Sequence, residues 1–266
     1  MKHLFAALCG IVVLSATTAA FAGPSCTIVA DAESQKVIVQ TGDCAVRTTP
    51  ASTFKLAMAV MGYDTGILKD AHNPTWPFKP GYPDFLEAWK HPTDPTRWLA
   101  YSVVWYSQVL TRHLGPVRFA RYARDFHYGN HDVSGNPGKH DGLTQAWLSS
   151  SLAISPVEQV AFLDALVHRT LLASPMAQEK TLAIMPTFPA ADGWTVHGKT
   201  GQGFPRKPDG SLDHDHAIGW FVGYAENGPR RVVFARRIQD DAPQPVFTSL
   251  RARDGLIADL PEVVGR

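Results

Sequence analysis

β-Forming runs sit toward the two ends of this chain and helix signals fill the space between, which leaves few ways to fold it. Residues 27–30 and 37–40 are short β-rich runs joined by a polar stretch, the pattern of a hairpin. Near the other end, 194–197 reads as a strand leading into Gly198-Lys199-Thr200-Gly201. Residues 218–224 and 231–235 form a second hairpin around Glu226-Asn227-Gly228-Pro229. Helices are expected at 105–114, stopped by Gly115, and at 117–126, with arginines 118, 121 and 124 on its wet face. Ser155-Pro156-Val157-Glu158 combines an N-cap, a proline at the first position and a capping box, so a helix should run to about Arg169. Ser174-Pro175 opens another to about Met185, and 248–260 is a final amphipathic helix. The proline-rich stretch 73–98 reads as loop with one short helix near 85–90, and 127–141 as loop. The simplest architecture is α+β: one antiparallel sheet built from both chain ends and flanked by helices, plus an inserted all-helical lobe. The cleft between the lobes is the natural place for a site.

The segment best suited to chemistry is Pro50-Ala51-Ser52-Thr53-Phe54-Lys55, followed by an apolar helical run to Gly62. Thr49 is expected to cap this helix, Pro50 to occupy its first position and Gly62 to end it. Ser52 and Lys55, three residues apart, then share one face. A serine hydroxyl is a weak nucleophile until a base takes its proton. Burial and the positive helix N-terminus both favour a neutral lysine, which can be that base. S-x-x-K also arises by chance, so the meaning of this pair depends on the rest of the chain.

The chain has 266 residues, 45% of them hydrophobic and 18% charged, with a formal net charge of +1. That is an ordinary globular composition without the basic footprint of a nucleic-acid partner. Lys2 and His3, an apolar stretch at 4–14 and Ala20-Phe21-Ala22 together read as a signal peptide over 1–22, leaving one domain over 23–266. Export to the periplasm is therefore expected, with no membrane association after cleavage. Cys9 leaves with the leader, and Cys26 and Cys44 flank the first hairpin, where a disulfide is the better reading than two reduced thiols.

Three further motifs follow the Ser52 segment: Ser102-Val103-Val104 before a helix, Tyr128-Gly129-Asn130 in a loop, and Lys199-Thr200-Gly201 after a strand. In this order and spacing the sequence resembles the class D, oxacillinase-type serine β-lactamases over essentially its whole mature length. Class A enzymes carry S-D-N where this chain has Ser102-Val103-Val104.

The resemblance implies the following roles. Ser52 is the acylated nucleophile, and Lys55 is the general base, present as N6-carboxylysine after reaction with CO2. Ser102 relays protons near the lactam nitrogen, and Lys199 and Thr200 orient the substrate, with Gly201 opening the backbone to it. Val104 is an apolar wall, Trp147 steadies the carbamate through its indole N–H, and Arg251 binds the substrate carboxylate. Tyr128, Gly129 and Asn130 shape the site. The oxyanion hole uses the backbone N–H groups of Ser52 and Gln202. Gln202 stands where the family commonly has an aromatic residue, so the roof over the substrate is missing unless Phe204 supplies it. The implied activity is hydrolysis of penicillins through an acyl-enzyme, conferring β-lactam resistance, with cephalosporins and carbapenems as open extensions. No cofactor beyond CO2 or bicarbonate is implied, and a monomer or homodimer fits equally. The same motifs also serve β-lactam-binding sensor domains and peptidoglycan transpeptidases or carboxypeptidases, which are acylated without fast turnover. Asp213-His214-Asp215-His216 matches no zinc spacing and reads as a solvated loop, so no metal is expected.

Overall fold

The structure is a computed structural model that describes residues 25–265. The expected leader, residues 1–22, lies outside the described residues. Among those described, no helix is long and apolar enough to cross a membrane.

A six-stranded antiparallel sheet is assembled from both parts of the chain, as expected. Its strands are β1 (Cys26–Asp31), β2 (Val37–Gly42), β3 (Thr187–Pro189), β4 (Thr195–Gly203), β5 (Ile218–Asn227) and β6 (Arg230–Gln239), in the order β2-β1-β6-β5-β4-β3. The first hairpin turns where the Asp31 carboxylate accepts from the Ser34 N–H at 2.7 Å. It is closed by a Cys26–Cys44 disulfide with Cα atoms 5.1 Å apart.

Eight helices complete the described fold: α1 (Lys55–Asp64), α2 (Pro95–Tyr101), α3 (Val104–Leu114), α4 (Pro116–Asp125), α5 (Gly142–Gln145), α6 (Pro156–Val167), α7 (Pro175–Ala183) and α8 (Thr248–Gly265). The central strands of the sheet are covered on both faces, whereas the edge strands β2 and β3 are partly or fully exposed. Ile28 and Ala30 of β1 join the core shared with the helical lobe, whereas Val29 between them joins a second core against α8. β5 splits the same way, Trp220 and Val222 to one side and Phe221 and Ala225 to the other. Burial on both faces explains why this strand reads as a nearly unbroken apolar run.

The structure moves several boundaries. Ala51–Phe54 is a 3-10 turn with Pro50 as its N-cap, and the α-helix starts only at Lys55. Thr49 does not cap it. Its hydroxyl donates to the Trp147 carbonyl and accepts from the Ser149 N–H. Gly62 does not end α1, which continues to Asp64. The glycine serves packing instead: a Cβ there would lie 2.7 Å from Leu68 Cγ. Lys199-Thr200-Gly201 lies within β4 rather than after it. Helix α2 begins inside the proline-rich stretch 73–98 read as loop and runs past its end to Tyr101. Asp94 accepts from the Arg97 N–H and Pro95 takes the first turn, a start signal masked by the surrounding prolines.

Candidate active site

Ser52 sits in a turn fixed from several sides. The Trp220 indole donates to the Thr49 carbonyl at 2.9 Å. Thr53 Oγ1 donates to the Pro50 carbonyl at 2.8 Å and accepts from the Gln159 amide of α6 at 2.8 Å. Ala51, just before Ser52, has φ of +48°, a left-handed conformation disfavoured by about 1–2 kcal/mol for a residue with a Cβ. β4 comes so close that a Cβ at Gly201 would be 2.8 Å from the Pro50 carbonyl oxygen. The glycine of K-T-G thus lets the strand press the nucleophile turn into place.

Below Ser52 lies Lys55, fully buried, with Nζ 2.9 Å from Ser52 Oγ. Burial first, and the nearby Lys199 ammonium second, hold the Lys55 amine well below the ordinary lysine range. A neutral amine can accept the serine proton. Phe54 packs against Tyr128 at 4.8 Å and against Trp147 at 6.2 Å between ring centroids. Trp147 is fully buried, and among the described residues its indole N–H has no hydrogen-bond partner. An unpaired buried donor is unfavourable by about 1–3 kcal/mol. This donor is therefore suited to an acceptor that the bare lysine does not provide, and carboxylation of Lys55 would fit that need.

On the other side, Ser102 caps the end of α2 with φ of +55°. Lys199 Nζ donates to Ser102 Oγ in a short contact and to the Thr200 carbonyl at 3.0 Å. Desolvation pushes Lys199 down from 10.5 to about 7. Because its native pKa lies below the unfolded one, the unfolded chain binds the extra proton between about pH 7 and 10.5, so this residue's destabilisation is fully present below pH 7 and is relieved as pH rises. A Lys199→Met variant should therefore show its largest stability gain over the parent below pH 7, shrinking toward pH 10. Urea unfolding of both proteins across that range checks it, and a constant difference would contradict it.

These groups meet at a cleft of about 600 Å³ lined by Ser52, Ser102, Val104, Thr200 and Gln202. Lys55, Lys199 and Trp147 lie behind its wall. Tyr128 is buried behind Phe54. Asn130 acts as scaffold, its side chain donating to Ser151 O and accepting from Ala153 N. Gly129, with φ of +57°, has no room for a Cβ, which would meet the Ala153 carbonyl at 2.1 Å. Phe204 lines the cleft with its ring 4.4 Å from His214, while the Gln202 side chain turns away toward α8. Arg251 is engaged by a neighbouring carboxylate. Its guanidinium is paired with Asp240, and it is not among the residues lining the cleft, although Phe247, Ser249 and Leu250 are. The reason is local: Asp240, at the end of β6, is buried and needs a cation.

Sequence reasoning missed Ser149, which lines the cleft and whose hydroxyl accepts from the Phe204 N–H at 3.0 Å. Its place two residues after Trp147 was the available signal. Gln159 and Asp240 were also missed, since neither belongs to a motif.

Comparison with known proteins agrees with this geometry. Residues 25–259 match the penicillin binding protein transpeptidase domain family. β-Lactamase OXA-9 of Klebsiella pneumoniae is 45% identical over 241 residues, 90% of this chain and 88% of that protein. β-Lactamase OXA-1 of Escherichia coli is 32% identical over 238 residues, 88% of this chain and 83% of that protein. The crystal structure of the OXA-427 class D β-lactamase matches with a TM-score of 0.85 and 52% identity, covering 91% of this chain and 98% of that one. With a serine and a buried lysine on one turn, a second serine–lysine pair facing them and relatives of this kind along nearly its whole length, this chain belongs to the class D β-lactamases.

Proposed function

We propose that the protein hydrolyses β-lactams through an ester on Ser52, with the Lys55 side chain as base in both half-reactions. The observation that carries this reading is Ser52 Oγ at 2.9 Å from the Nζ of a fully buried lysine. In acylation, Ser52 Oγ bonds to the lactam carbonyl carbon and its proton is held by the Lys55 side chain. The backbone N–H groups of Ser52 and Gln202 stabilise the oxyanion, each such donor typically giving about 10²–10³ in rate. The C–N bond breaks, and the proton held by the Lys55 side chain is delivered to the ring nitrogen through Ser102, which Lys199 holds, so that the Lys55 side chain is a free base again. In deacylation, water attacks the ester carbon and gives a proton to the Lys55 side chain, which returns it to Ser52 Oγ as the ester C–O bond breaks. CO2 bound covalently to the neutral Lys55 amine would supply a carboxylate base, and the unpaired Trp147 N–H would hold it.

Phe85, Trp89, Tyr101, Phe204 and Phe247 make the cleft largely apolar. That suits penicillins with an aromatic acyl side chain, bound by burial of apolar surface. The expected leader would place the mature protein, starting near Gly23, in the periplasm, as a monomer or homodimer.

The test is hydrolysis of a chromogenic cephalosporin and of benzylpenicillin by the mature protein, with and without bicarbonate. Sustained turnover that rises with bicarbonate is expected. One stoichiometric burst leaving a stable Ser52 adduct would mean a sensor or transpeptidase-like acceptor instead.

A further inference from the structure

Gln202 lines the cleft, yet both ends of its side-chain amide are engaged by the first turn of α8. Its Oε1 accepts from the Ser249 N–H at 2.9 Å, and its Nε2 donates to Thr248 Oγ1 at 3.3 Å. Thr248 Oγ1 in turn donates to Asp240 Oδ2 at 2.6 Å, and the other oxygen of that carboxylate accepts from Arg251. Thr248 and Asp240 are buried, so these bonds are shielded from water. The strand partner of Gln202 is Gly219. A Cβ at Gly219 would stand 2.3 Å from the Thr248 carbonyl carbon and 2.5 Å from the Ser249 nitrogen. One strand thus makes room for the first turn of α8 while the next strand grips it.

We propose that the Gln202 side chain is a positioning residue that clamps the strand bearing Lys199 and Thr200 to the first turn of α8 and, through Thr248 and Asp240, sets the Ser249 edge of the cleft and the Arg251 guanidinium for the substrate's carboxylate. This rests on the β-lactamase reading and assigns the side chain a task separate from its backbone N–H. Arg251 is held by Asp240 in the free protein, so its orientation depends on that network. Ser249 already lines the cleft, and Gln202 sets its backbone.

The experiment is a mutant cycle on the mature protein with benzylpenicillin as probe. Gln202→Met keeps the length of the side chain and removes both bonds. It is expected to raise KM about tenfold with kcat within about threefold, since two neutral hydrogen bonds to the binding edge are lost. Thr248→Val removes the acceptor of Gln202 Nε2 and the donor to Asp240 but keeps the Ser249 bond, so it should raise KM by a smaller factor, giving a second route if Gln202→Met folds poorly. Arg251→Met should raise KM in the parent and much less in the Gln202→Met background, because the clamp is already released. Equal Arg251→Met effects in both backgrounds would overturn the proposal, as would an unchanged KM in both Gln202→Met and Thr248→Val. If Arg251→Met leaves the parent KM unchanged, the carboxylate is bound elsewhere and the proposal also falls. Loss of Ser52 acylation in the parent would instead sink the β-lactamase reading itself.

Discussion

Lys55→Ala is expected to lower kcat and kcat/KM for a good penicillin by about 10⁴-fold, equivalent to about 5 kcal/mol of transition-state stabilisation. The size follows from the geometry. No carboxylate is among the groups that shift this lysine, and its pKa is lowered by burial and by Lys199. Ser52 Oγ has Lys55 Nζ as its side-chain partner. Removing Lys55 leaves the hydroxyl without a base in acylation and the water without one in deacylation. Both half-reactions should therefore slow, and intact-mass measurement should find the little acyl-enzyme that forms persisting for hours. Lys55→Met separates chemistry from packing, because it fills the same buried volume without an amine. It should be as inactive as Lys55→Ala yet more stable than the parent, since a buried amine has been exchanged for an apolar group. Deacylation at the parent rate in either variant would show that water is activated by another residue and would end the single-base reading.

The part of this site that sequence exposes is the part built by short-range geometry. Ser52 and Lys55 are placed by three residues of helical turn. The Ser155 capping box forms as expected because all its atoms come from four consecutive residues. Short apolar and β-rich runs marked most strands of the sheet, although β3 has only three residues and left too short a pattern to detect. What stayed hidden is set by contacts across the chain. Gly62 looks like a helix stop until Leu68 folds back against it. Thr49 looks like a cap until Trp147 and Ser149 engage its hydroxyl from about 100 residues away. Arg251 carries the motif position of a carboxylate binder, and only the fold shows that Asp240 holds its guanidinium. Gln202 appears as a defect in a motif when read along the chain. Its purpose emerges only when Ser249, 47 residues away, is seen to donate to it.

Trp147→Phe is expected to raise the bicarbonate concentration needed for half-maximal activity by about 10–100-fold while leaving the fold intact. Phenylalanine keeps an aromatic ring against Phe54 and Phe119, which lie 6.2 and 6.3 Å from the Trp147 ring between centroids, and removes the N–H. With Lys55 as the bare amine that N–H is unpaired in the interior, so its loss relieves a penalty and offsets some of the packing lost with the larger ring. With Lys55 carboxylated, the same N–H would donate to an anion, a bond typically giving about 1.5–3 kcal/mol, which is the stated 10–100-fold in the carboxylation equilibrium. The two states thus feel the substitution in opposite directions. Saturating bicarbonate should bring kcat of Trp147→Phe back toward the parent, because Ser52, Ser102 and Lys199 are untouched. Degassed buffer should silence the variant before the parent. Direct observation by ¹³C NMR with labelled bicarbonate gives a readout independent of turnover: the carbamate signal should saturate at a higher concentration in the variant. Identical bicarbonate curves for the two proteins would mean that the indole N–H holds no anion, and the reason for an unpaired donor beneath the nucleophile would have to be sought in the packing of Phe54 and Phe119 alone.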